Sequence, residues 1–132
     1  MEKYRILVVD DELLIRDLLY DFFSGQGWDI VVADGGQKAV QYLKNQQFDL
    51  VLTDLKMPDM DGLDLIGKIR SLYADLPVII MTGFPSFDSA VAALRSRVED
   101  YVVKPFNINQ LFKVARNVVE SRRQAAGVGD DR

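Results

Sequence analysis

The chain has 132 residues, 48% apolar and 27% charged, which suits one compact domain with a buried core and excludes a disordered chain. It contains neither cysteine nor histidine, so disulfides, thiolate and imidazole metal sites, cysteine nucleophiles and a phosphohistidine carrier are excluded. The net charge of −4 is unevenly spread: residues 1–64 hold 13 acidic and 6 basic side chains, residues 89–123 hold 3 and 7, and the acidic half disfavours nucleic acid.

In chain order, Met1 to Tyr4 lead directly into a strand-like segment, with no apolar leader and no membrane-spanning run. The expectation is a cytoplasmic protein with no membrane partner. Arg5 to Val9 is a short apolar run ending at Asp10-Asp11 and reads as a buried strand. Residues 12–24 place Leu14, Ile15, Leu18, Leu19, Phe22 and Phe23 at helical spacing, and Gly25 and Gly27 supply stop signals. Trp28 to Val32 is rich in strand formers and is followed by Gly35-Gly36. Residues 37–46 carry Val40 and Leu43 on one helical side. Phe48 to Thr53 is the third strand and ends at Asp54.

The second half keeps this rhythm. Gly62 to Leu72 predicts a helix with Leu63, Ile66 and Ile69 on one side. Leu76 to Met81 predicts a strand closed by Thr82-Gly83. Phe87, Ala90, Val91 and Leu94 form the next helical stripe, and Tyr101 to Val103 a last strand before Lys104-Pro105. Ile108, Leu111, Phe112, Ala115, Val118 and Val119 mark a closing helix. Residues 1–123 are taken as the domain. Residues 124–132 lack periodicity and read as a flexible tail or the start of a linker.

Five strand–helix units imply an α/β fold: a doubly wound, five-stranded parallel sheet with five helices on its two faces. The strands are almost wholly apolar, as fits burial on both faces. The flavodoxin-like order 2-1-3-4-5 fits five units best, and it puts a topological switch point beyond the carboxyl ends of strands 1 and 3.

The polar residues fall at that edge. Asp10 and Asp11 follow the first strand, Asp54 the third, Thr82 the fourth and Lys104 the fifth. Singly each has an ordinary role: Asp11 a helix cap, Thr82 a strand end, Lys104 a surface lysine. Together they are chemically coherent. Two carboxylates about 4 Å apart repel by roughly 4 kcal/mol at an effective dielectric near 20, so clustered aspartates need a cation or a proton. Oxygen ligands without histidine or cysteine select a hard divalent ion, Mg²⁺ above others. A carboxylate nucleophile at Asp54, a metal, an ammonium at Lys104 and a hydroxyl at Thr82 are the components of phosphoryl transfer.

At these positions the chain resembles the response-regulator receiver family of two-component signalling. The matching pieces are VVDDE (8–12), LTDLKMPDMDG (52–62), VIIMTG (78–83) and DYVVKPF (100–106), and the likeness spans about residues 4–121. The resemblance implies a phosphorylation-dependent switch rather than a separate enzyme. Asp54 would be the phosphoacceptor, charged by a sensor histidine kinase or a phosphotransfer protein. Asp10, Asp11, Asp54 and the backbone carbonyl of Lys56 would hold Mg²⁺. Thr82 and Tyr101 would be the switch pair, Lys104 the site lysine, and the Lys104–Pro105 bond cis. Output would pass through the fourth helix, fifth strand and fifth helix, whose Arg95, Arg97, Lys113 and Arg116 suit an acidic partner or a phosphorylation-dependent homodimer.

Some residues depart from the family pattern. Gly83 stands where a small residue such as alanine is usual, and Phe84-Pro85 stiffen the loop that follows. Arg97-Val98 replaces a common Gly-Ala, which predicts an irregular end to the fourth helix. Lys56 and Phe84 occupy positions that tune phosphoryl lifetime in the family. Three rival readings fit less well. A haloacid-dehalogenase-type phosphatase wants a second aspartate where Lys56 stands. A flavodoxin-like cofactor binder needs a phosphate loop where Asp10-Asp11-Glu12 would repel phosphate. A contact-only pseudo-receiver would not need the complete set of five.

Overall fold

The computed structural model describes residues 3–130, with side chains through residue 125. The elements alternate strictly: β1 (Arg5–Val9), α1 (Leu13–Gly25), β2 (Asp29–Ala33), α2 (Gly36–Asn45), β3 (Leu50–Asp54), α3 (Gly62–Leu72), β4 (Val78–Thr82), α4 (Phe87–Arg95), β5 (Asp100–Val103) and α5 (Ile108–Asp130). The strands form one sheet in the order β2-β1-β3-β4-β5, every pair parallel. This is the architecture the apolar rhythm predicts, with the switch point between β1 and β3.

Period-two alternation splits each central strand between two cores. Leu7, Val9, Val51, Val78 and Ile80 meet Ala39, Leu43, Leu65, Ile66 and Ile69 of α2 and α3 on one face. On the other, Ile6, Val8, Leu50, Leu52, Ile79 and Met81 meet Leu19 and Phe23 of α1 and Leu111, Ala115 and Val119 of α5. That second core is closed by aromatic edges: Phe23–Trp28, Phe22–Phe112 and Trp28–Phe112 ring centres lie 5.3, 5.6 and 5.3 Å apart. α4 is the exception among the helices with full side-chain description. Its single buried residue is Ala93, while Phe87 and Leu94 stand exposed.

Two differences from the sequence reading concern element ends. The fourth strand begins at Val78, because Pro77 has no amide for the ladder and instead lends its carbonyl to Val51. The closing helix continues through Asp130, past residue 123, while residues 131–132 lie outside the described part.

The loop after β3 is folded back tightly. Gly62 leaves no room for a Cβ, which would run into the backbone of Asp54 and Leu55, and its amide donates to the Leu55 carbonyl at 2.8 Å. The same loop caps α2. Asp59 accepts from the amides of Gly36 and Gln37, both at 3.0 Å, and a Cβ on Gly35 would sit 2.6 Å from the Asp59 carboxylate. The amide of Gln37 foremost, then that of Gly36, hold the Asp59 carboxyl below its ordinary pKa of 3.8, against a push upward from burial.

The end of α4 closes as a regular left-handed turn in spite of Arg97-Val98, where an irregular end was the expectation. Arg97 adopts φ 60°, the left-handed position that glycine takes most easily. The turn persists because Val98 N–H reaches the Ala93 carbonyl and the Arg70 guanidinium binds the carbonyls of Ser96, Arg97 and Leu76.

Two predictions follow from these loop ends. Arg97→Gly is expected to raise stability in urea by about 0.5–1 kcal/mol, since a side chain is disfavoured in this conformation; an unmoved midpoint would mean the turn is unstrained. Asp59→Ala is expected to cost about 0.5–1 kcal/mol at neutral pH, the low end for a helix cap because the group is exposed. The folded pKa of Asp59 lies below the unfolded one, so its contribution is full above pH 3.8 and fades as pH falls through the depressed value. Denaturation of both proteins across pH 2–7 checks this trend.

Candidate functional site

The carboxyl edge of the sheet gathers residues far apart in sequence. Asp54 ends β3, Thr82 ends β4, Asp10 follows β1 and Lys104 follows β5; Asp10, Asp54 and Thr82 are buried. Lys104 is pinned beside this edge by its amide, which donates to the Thr82 carbonyl at 2.7 Å, and its peptide bond to Pro105 is cis.

Its ammonium is the hub. Lys104 Nζ donates to Asp10 Oδ2 at 2.7 Å, Asp54 Oδ2 at 3.0 Å and Glu12 Oε1 at 3.0 Å, which uses all three of its hydrogens. The remaining carboxylate oxygens are held by the backbone. Asp10 Oδ1 accepts from Glu12 N–H at 2.9 Å, and Asp54 Oδ1 accepts from the amides of Leu55 at 2.7 Å and Lys56 at 3.3 Å. Arg16 braces the same turn by donating to the Asp10 carbonyl at 2.8 Å.

Electrostatics follow from this crowding. Burial is the main cause that lifts the Asp10 pKa above the ordinary carboxylate value, with the Asp54 charge adding to it and the Lys104 bond opposing it. Burial alone would lower the Lys104 pKa, yet its bonds to Asp10, Glu12 and Asp54 outweigh that and hold it above the ordinary lysine range. Three carboxylates therefore face a single ammonium. Their oxygens lie within 4.8 Å of one another, an all-oxygen donor set with surplus negative charge. Such a set fits a hard divalent cation.

Four of the sequence-predicted residues are thus brought together: Asp10, Asp54, Thr82 and Lys104. Asp11 is exposed and is not among these three carboxylates, whose third member is Glu12. Sequence reasoning missed Glu12 because it looked like the start of α1. The available signal was its position, two residues past Asp10 and still before the helix. It is the residue that precedes α1, yet its side chain caps no amide and turns to Lys104 instead. Lys56 is exposed beside Asp54. The Thr82 hydroxyl accepts from Phe84 N–H at 3.0 Å and so leaves its own proton for donation. Tyr101 is half-buried, its hydroxyl 2.6 Å from Ser89 Oγ on α4.

A doubly wound domain that tethers a buried aspartate to a lysine at its switch point is built as a phosphoacceptor signalling switch. Comparison with known proteins agrees. The response regulator receiver domain matches residues 6–116. The response regulator protein FleR of Pseudomonas aeruginosa is 39% identical over 116 residues, 87% of this chain and 24% of its own length. The regulatory protein AtoC of Escherichia coli is 37% identical over 116 residues, 88% of this chain and 25% of its own. The chain thus spans about a quarter of those relatives. Among solved structures, a CheY-like receiver domain from Methanospirillum hungatei superposes with a TM-score of 0.91 at 27% identity, covering 94% of this chain and 99% of its own. The response regulator TrrA of Thermotoga maritima, solved with Mg²⁺ and BeF, gives 0.79 at 34% identity, covering 87% and 98%. The chain belongs to the response regulator receiver family.

Removing the hub is expected to leave three carboxylates uncompensated. Lys104→Met should lower stability in divalent-free buffer by about 2–4 kcal/mol, below the upper range for a broken buried pair because Glu12 is exposed. Adding Asp54→Asn to it should recover part of the loss. Urea unfolding of the three proteins tests this, and an unchanged Lys104→Met midpoint would refute it.

Proposed function

We propose that Asp54 is the residue that accepts the phosphoryl group, supplied by the phosphohistidine of a sensor kinase or phosphotransfer protein. The observation that carries this reading is the Lys104 ammonium joining buried Asp54 to buried Asp10 at the switch point. An Asp54 carboxylate oxygen forms the new bond to phosphorus while the donor's nitrogen–phosphorus bond breaks, and the electron pair leaves with the imidazole. Lys104, already at Asp54 Oδ2, neutralises charge on the transferred oxygens. The Thr82 hydroxyl turns its unused proton to one of them.

Asp10 and Asp54 are the buried carboxylates that would hold Mg²⁺, with Glu12 the third member of the oxygen cluster. Asp11 and the Lys56 carbonyl complete the set by family resemblance. Mg²⁺ supplies charge neutralisation for the phosphoryl group when bound. Phosphorylation then adds about −1.5 to −2 charge and three acceptor oxygens at Asp54. The response reaches α4, β5 and α5, where Arg95, Arg97, Lys113 and Arg116 offer a basic face to an acidic partner or to a second copy. The working unit is residues 1–123, with 124–132 a tail or the start of a linker. No helix among the described residues is long and apolar enough to cross a membrane. The reading places the domain in the cytoplasm, without direct membrane or nucleic acid contact of its own.

The test is incubation with a small-molecule phosphodonor, with and without Mg²⁺, read by intact mass. One phosphoryl group should be gained with Mg²⁺, and none in its absence or in Asp54→Ala. Labelling that persists in Asp54→Ala would overturn the assignment.

A further inference from the structure

The turn that carries Asp10 and Glu12 is gripped from two sides. From the sheet edge, Lys104 Nζ takes their carboxylates, Asp10 Oδ2 at 2.7 Å and Glu12 Oε1 at 3.0 Å. From the helix side, one residue takes both of their backbone carbonyls. The Arg16 amide donates to Glu12 O at 3.1 Å, and its guanidinium reaches back to Asp10 O at 2.8 Å. Asp10 is otherwise held by its amide on Ala33 O at 3.1 Å and by Glu12 N–H on its Oδ1 at 2.9 Å. Each of its polar atoms therefore has a partner. Only the carbonyl depends on a side chain that lies outside the carboxylate cluster.

That carbonyl is where the turn can give. β1 ends at Val9, so Asp10 O has left the ladder, and Glu12 supplies no side-chain cap to α1. A rotation of the Asp10–Asp11 peptide plane would carry the Glu12 amide off Asp10 Oδ1 and release both carboxylates from their common direction. The half-buried guanidinium of Arg16 opposes that rotation. Its charge is not spent on the acidic side chains of the turn: among the described residues Arg16 forms no ion pair. Its contribution is to geometry.

We propose that Arg16 is a positioning residue for the divalent-cation site: by holding the Asp10 carbonyl it keeps the Asp10 and Glu12 carboxylates facing one place, so that a cationic side chain promotes cation binding. This rests on the phosphoacceptor reading for its Mg²⁺, while the brace on the turn does not. The sign of the effect separates geometry from charge. A positive group near a cation site repels the ion, so removing it for its charge alone would tighten Mg²⁺ binding. Removing a brace loosens it.

The test compares wild type, Arg16→Met and Arg16→Lys by nuclear magnetic resonance, first without divalent ions and then through a MgCl₂ titration. In the first arm, amide exchange at Glu12 should speed roughly threefold to tenfold in Arg16→Met, the range for one lost hydrogen bond. Exchange at Ile80, in the middle of β4, serves as the reference for global stability and should stay within twofold or so of wild type. In the second arm, Mg²⁺ affinity should fall in Arg16→Met by a factor similar to the change at Glu12. Arg16→Lys, which keeps a donor on a long stem, should lie between the other two in both readouts. An unchanged Glu12 rate, or one that rises only in step with Ile80, overturns the brace. Mg²⁺ affinity that is unchanged or tighter in Arg16→Met overturns the positioning role, as does an Arg16→Lys protein no better than Arg16→Met. A wild type that shows no Mg²⁺ response refutes the phosphoacceptor reading instead, and the exchange arm still decides the brace.

Discussion

One ammonium held among three carboxylates is the interaction around which the rest of this structure is arranged. The Lys104 ammonium reaches Asp10, Glu12 and Asp54 from a loop that follows the fifth strand, ninety-odd residues away from the first two. No local motif could bring them together. It takes a parallel sheet, in which every strand ends at the same edge, and a strand order that sets β1 beside β3. Both cores serve this end by fixing strand register, since a slip of one residue would turn Asp54 to the opposite face.

The cluster is stable enough to form and too anionic to be at rest. Burial works against the charge on Asp10, and the nearby Asp54 adds to that penalty. Removing either a cation or a carboxylate shifts the balance, so the site responds to what binds it. A fully neutralised pocket would pack as well and signal nothing. The coupling to distant surface follows the same logic. α4 has few buried side chains, and its ends are set by polar bonds that can be exchanged at modest cost. α1, α2, α3 and α5 each bury more of their side chains than this helix does.

Much of this was legible in the residues. The strands showed as unbroken apolar runs, and the polar residues that interrupt them marked the working edge. Asp10, Asp54, Thr82 and Lys104 could be named from position because strand ends are well defined in such runs. Glu12 could not. Glu12 looks like helix-start chemistry, and only the direction of its side chain reveals that it serves Lys104. Of the two adjacent aspartates, Asp10 is buried in the three-carboxylate group and Asp11 is exposed beside it.

The aromatic knot between α1 and α5 has a practical consequence. The single tryptophan, Trp28, precedes β2 at the amino end of the sheet and is wedged against Phe23 and Phe112. Its fluorescence therefore makes it a natural thermometer for melting of the whole domain. The same placement, at the far end from Lys104 and on the face away from α2 and α3, keeps that optical signal remote from the carboxylate cluster.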